Sequence, residues 1–132
     1  MLAWLVGLMM ASTSPAILTI PVVHAEEIDN STYTLQQYAT DKAKENHLNV
    51  KKFMATIDCE SKWNPYAEGD LVRGKPTSFG LVQLRYPGRW GISTSSAYNP
   101  RLSIDIMTKA WKENKYKEWS CWWIVGGLSP PN

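Results

Sequence analysis

An apolar stripe that ends in a carboxylate constrains this chain more than any other feature. Val50, Phe53, Ile57 and Glu60 are spaced three, four and three residues apart, so they share one face of a helix. The first three positions call for burial. A glutamate that continues the same face must leave water, and losing water raises a carboxyl pKa. An acid still protonated near neutral pH can donate a proton. Asn49 is placed to cap this helix, and Asn64-Pro65 to stop it soon after Ser61.

The chain has 132 residues, enough for one small domain. Met1 to Ala25 lacks any Asp, Glu, Lys or Arg, is apolar, and ends in Val23-His24-Ala25. Small residues at the third and first places before a cut suit signal peptidase. Residues 1–25 are therefore expected to be a signal peptide cleaved after Ala25. Ser12-Thr13-Ser14-Pro15 interrupts the apolar run, which falls short of the ~20 unbroken residues of a membrane anchor. The expected mature domain, residues 26–132, holds all 14 basic and 12 acidic side chains, for a net charge of +2. With no run of five basic residues, that charge gives no reason to expect a nucleic-acid partner.

Cys59 and Cys121 are the two cysteines. In an exported chain such a pair implies a disulfide. It would close a loop of ~60 residues, contribute about 4 kcal/mol in the chain-entropy model, and tie the C-terminal segment to the helix that carries Glu60. Two distant Cys and two His, one of them His24 in the expected signal, do not form a metal-ligand cluster, so no metal is expected.

The remaining elements follow from caps and periodicity. Thr34-Leu35-Gln36-Gln37 has the form of a capping box, predicting a helix from Leu35 to Glu45. Tyr66 to Thr77 carries turn chemistry around Gly69-Asp70, Gly74 and Lys75-Pro76, either an irregular loop or a small hairpin about Leu71-Val72. Asp70 reads first as a turn residue beside Gly69, and second as a carboxylate able to face Glu60. Ser78 to Leu84 reads as a short helix capped by Ser78. A glycine inside it, Gly80, costs roughly 1 kcal/mol and has a use where another backbone or a ligand comes close. Arg85 to Ser96 reads as a loop anchored by Trp90 and Ile92. Asn99-Pro100 opens a long helix with Asn99 as cap and Pro100 in its first turn. The fold class is thus mainly α, with room for a minor two-stranded hairpin. Trp63 and Trp111 are assigned to the core, Trp90 and Tyr98 to a cleft wall.

Three blocks resemble a known family. Glu60-Ser61 with Trp63-Asn64-Pro65, then Ser78-Phe79-Gly80-Leu81-Val82-Gln83, then Tyr98-Asn99-Pro100-Arg101-Leu102-Ser103-Ile104, are similar to the lytic transglycosylases of the soluble type, relatives of the goose-type lysozymes. The resemblance implies a small lysozyme-like domain that cleaves the MurNAc–GlcNAc bond of peptidoglycan and leaves 1,6-anhydro ends. It implies Glu60 as the catalytic acid and base. Ser61, Ser78, Gln83 and Asn99 would be substrate-side contacts, joined by Trp90 and Tyr98. Ser61 reads equally as a helix-end hydroxyl bonded to backbone. No cofactor is implied. The implied partner is the glycan strand, and the implied setting is a secreted or periplasmic monomer at the cell wall. A hydrolytic muramidase on the same fold and a catalytically silent wall-binding module are the alternatives. Two departures stand out. Ser103 occupies a position where the family usually has Asn. The family's late Ala-Tyr-Asn-x-Gly block is replaced, in order along the chain, by Trp119-Ser120-Cys121-Trp122-Trp123.

Overall fold

The structure is a computed structural model that describes residues 11–19, 21 and 27–127. Most of the expected signal segment, its cut after Ala25 and the last five residues lie outside the described residues. Among the described residues no helix is long and apolar enough to cross a membrane.

Three helices make the frame: α1 (Thr32–Glu45), α2 (Val50–Ser61) and α4 (Pro100–Lys112). A short α3 (Thr94–Ala97) leads into α4, and α5 (Ser120–Val125) closes the chain against α2. Two 3-10 turns, Pro87–Trp90 and Tyr116–Glu118, precede α3 and α5. The core sits where α1, α2 and α4 meet. Leu35, Ala39 and Ala43 come from α1, Phe53 and Ile57 from α2, and Ile104, Met107 and Trp111 from α4. Phe53 meets Trp111 edge to face at 5.1 Å between ring centres. Trp63 and Trp111, both expected in the core, are each 6% exposed.

The caps explain where the helices begin. Asn49 accepts from the Lys52 N–H, and Asn99 from the Leu102 N–H, as their positions before α2 and α4 predict. Helix α1 starts three residues earlier than expected. Ser31, not Thr34, is its cap, accepting from the Thr34 N–H, while the Thr34 hydroxyl donates back to the Ser31 carbonyl. The predicted capping box does not form, and Gln37 donates to Asp41 one turn on. Two cap-forming residues three positions apart compete here, and the earlier one gains an extra turn of helix.

The other correction is larger. Ser78 to Leu84 is not a helix. A three-stranded antiparallel sheet forms from β1 (Glu68–Gly69), β2 (Ser78–Phe79) and β3 (Leu84–Arg85). Phe79 faces Glu68 on one side and Leu84 on the other. The β2–β3 turn needs left-handed backbone at Gly80 (φ +82°) and Gln83 (φ +51°), which no helix tolerates. Gly80 is there for close approach: a Cβ on it would lie 2.0 Å from the Ala97 carbonyl oxygen. Between β1 and β2 the chain makes the small hairpin expected near Leu71-Val72, with Val72 and Lys75 exchanging backbone hydrogen bonds across Arg73-Gly74. The domain is therefore mainly α, with a sheet one strand larger than expected.

Candidate active site

Glu60 lies on the last turn of α2. The buried face of Phe53 and Ile57 runs directly into it, so its carboxyl group is half-buried. The helix stops one residue later, because Lys62 and Trp63 both adopt left-handed backbone (φ +52° and +63°). That reversal turns the Trp63 ring into the core and leaves Glu60 at the edge of the helix end. Asn64 then accepts from the Tyr66 N–H and bends the chain toward β1.

The disulfide joins Cys59 to Cys121, with Cα atoms 5.8 Å apart. It brings the start of α5 against the end of α2. The Cys121 backbone N–H donates to Glu60 Oε1 at 3.1 Å. Burial, the largest influence, pushes the Glu60 carboxyl up to about 7 from an ordinary 4.5; the Cys121 N–H opposes this, and the charge of Asp70 adds to it. Glu60 thus exchanges its proton near neutral pH, where a group can serve as both donor and acceptor.

Asp70 is the carboxylate whose charge reaches Glu60. It sits just after β1 at φ +51°, a conformation Asp tolerates better than most residues. Two neighbours hold it there: Thr77 Oγ1 donates to its backbone carbonyl at 2.6 Å, and the fully buried Ser78 hydroxyl donates to its side chain. Its turn role is realised, and its charge adds to the upward push on Glu60. Sequence reasoning ranked the turn role first, because a pairing across 10 residues of loop leaves no local signature.

The other predicted site residues fall into two groups. Ser78 is spent on Asp70 rather than open to a ligand. Ser61, 9% exposed, donates to the Ile57 carbonyl at 3.4 Å, the helix-end reading of that hydroxyl. Gln83 braces the sheet turn: its Nε2 donates to the carbonyls of Ala67 (3.0 Å) and Gly80 (2.9 Å). Gln83 also lines a hollow with Arg85, Arg89, Trp90, Glu118 and Trp119. Trp90 is half-buried there, its indole donating to the Arg85 carbonyl and its ring 5.5 Å from that of Trp119. Trp119 in turn donates to the Val82 carbonyl at 2.7 Å. Trp119 thus walls this hollow, while Ser120 beside it is exposed.

Tyr98 and Asn99 line a different hollow, with Tyr66, Pro100, Arg101 and Leu102. The Tyr98 hydroxyl donates to Glu68, which holds its pKa above the usual phenol value, and its ring packs on Tyr66 and Phe79. Asn99 is engaged as the α4 cap. Among the described residues no cluster of three or more His, Cys, Asp or Glu gathers as metal ligands would. The chain matches no protein family model, no curated protein and no solved structure.

Proposed function

We propose that this chain is a peptidoglycan lytic transglycosylase with Glu60 as its single acid and base. The observation that carries the reading is the half-buried Glu60 carboxyl, poised near neutral pH and held by the Cys121 N–H. Protonated Glu60 donates to the oxygen that links N-acetylmuramic acid to N-acetylglucosamine. The C–O bond breaks, the leaving sugar departs as an alcohol, and positive charge at the anomeric carbon is covered by the substrate's own acetamido group. Glu60, now a carboxylate, takes the proton from the muramyl 6-hydroxyl. That oxygen closes on the anomeric carbon, giving a 1,6-anhydro end and restoring the protonated acid. No cofactor and no water enter. The lysozyme-like blocks around Glu60, Gln83 and Asn99 support the same assignment. So does the disulfide, which suits an oxidising compartment such as the periplasm or cell exterior. On this reading residues 1–25 direct export and the domain acts as a monomer on glycan strands.

One observation favours a hydrolytic alternative. Asp70 supplies the second carboxylate with which muramidases activate water or shield the anomeric carbon. Digesting purified cell wall and weighing the released muropeptides separates the possibilities. Anhydro ends are expected; ends heavier by one water indicate hydrolysis, and no release indicates a silent wall-binding module. Asp70→Asn sharpens the comparison. If Asp70 only raises the proton affinity of Glu60, the variant still makes anhydro ends, and its activity falls off at a lower pH than the wild type, because Glu60 loses its proton earlier. If Asp70 activates water, the variant loses the reducing-end product instead.

A further inference from the structure

We propose that the furrow along Arg89 and Trp90 binds carboxylate-bearing peptide stems of the glycan strand, and so selects stem-bearing over bare glycan. Three adjoining hollows share these two residues. One is completed by Gln83, Arg85, Glu118 and Trp119, the next by Lys115 and Glu118, and the third by Lys109 and its α4 neighbours with Glu113 and Lys115 just beyond the helix. Together they run from the Gln83 turn to the C-terminal end of α4. The first hollow begins beside Trp119, two residues before the Cys121 N–H that holds Glu60.

The lining fits an anionic saccharide. Trp90, backed by Trp119, offers an indole face to the CH face of a sugar ring. Four cations, Arg85, Arg89, Lys109 and Lys115, line the furrow against two acids, Glu113 and Glu118. Both acids are paired on the exposed surface, Glu118 with Arg89 at 3.5 Å and Glu113 with Lys115 at 3.0 Å. Exposed pairs of this kind are worth little, so a ligand carboxylate can replace either acid at small cost. Arg85 and Lys109 make no ion pair among the described residues. A planar guanidinium binds a carboxylate through two parallel hydrogen bonds, which the short acidic stems of peptidoglycan can accept. A neutral glycan would leave this charge unused.

The inference rests on the proposed function for its substrate, and its test is chosen to fail separately. The full chain carrying Glu60→Gln is titrated with purified glycan strands that bear peptide stems, and with the same strands after amidase treatment has removed them. Binding to stem-bearing strands is expected to be about tenfold tighter, and to weaken with salt. Arg85→Ala/Arg89→Ala is expected to abolish that preference, while Trp90→Ala weakens both ligands. Lys44→Ala/Lys51→Ala, which removes equal charge from α1 and α2, serves as the control and should leave the preference intact. Equal affinity for the two strands would overturn the inference, as would a preference that survives loss of both arginines or disappears equally in the control. Failure of the catalytic reading shows instead in the wild type, as wall digests without anhydro ends.

Discussion

Glu60→Gln is expected to cut release of glycan fragments from purified wall by about 10²- to 10⁴-fold, the usual contribution of a positioned acid and base. Gln keeps the oxygen that accepts from the Cys121 N–H, so the local geometry survives while the transferable proton does not. Stability should move the other way. In the folded chain Glu60 holds its proton up to about 7, against 4.5 when unfolded. Between those values the native state keeps a proton that the unfolded chain has lost. The resulting stability is complete below the unfolded value and is lost as pH rises through about 7. Ionised and half-buried at pH 8, Glu60 costs on the order of 3 kcal/mol relative to a neutral group. Melting curves should therefore place Glu60→Gln above the wild type at pH 8 and close to it at pH 4. Activity that persists in the variant would refute the role of Glu60. A variant that melts lower at pH 8 would refute the burial argument.

Removing the disulfide is the second large effect. Cys59→Ser/Cys121→Ser opens a loop of 62 residues in sequence separation. In the chain-entropy model that costs about 4 kcal/mol, and for a domain this small the melting temperature should drop by roughly 15–30 °C. The loss has a chemical side as well. Without the crosslink α5 depends on the Trp119–Val82 hydrogen bond and on the Lys52 ammonium 3.7 Å from the centre of the Trp122 ring. A looser α5 withdraws the Cys121 N–H from Glu60, and that donor is the influence that lowers the carboxyl pKa. Whatever activity remains in the double variant, measured well below its melting temperature, should extend to higher pH. A drop of under about 5 °C with an unchanged pH profile would show that α5 is held by packing alone.

The parts legible in the sequence were those written in short range. The stripe of Val50, Phe53, Ile57 and Glu60 spells out α2 and its acid, because period and burial are local properties of one helix. Asn49 and Asn99-Pro100 mark two helix starts for the same reason. The cysteine pair was legible from number and setting. What escaped was decided across the chain. Ser78 to Leu84 has the letters of a capped helix, yet Gly80 and Gln83 turn left-handed because β2 pairs with β1 and because the Ala97 carbonyl occupies the space a side chain would need. The influence of Asp70 on Glu60 depends on the buried Ser78 hydroxyl that donates to it, a contact with no local signature. Gln83 reads in the sequence as a ligand contact, yet its side-chain amide nitrogen braces the turn through two hydrogen bonds. Trp119 reads as one of several aromatics near the C-terminus, and only its hydrogen bond to the distant Val82 carbonyl sets it apart.

The sheet has strands of only two residues each, too short to keep its own place. Its seat is the spot where Gly80 meets the Ala97 carbonyl, which also accepts from the buried Ser103 hydroxyl at 2.8 Å. Asp70 follows β1 of that sheet and Glu60 ends α2, so the spot is a pin between the two elements. The placing of one carboxylate relative to the other is thus set at a position bearing no side chain.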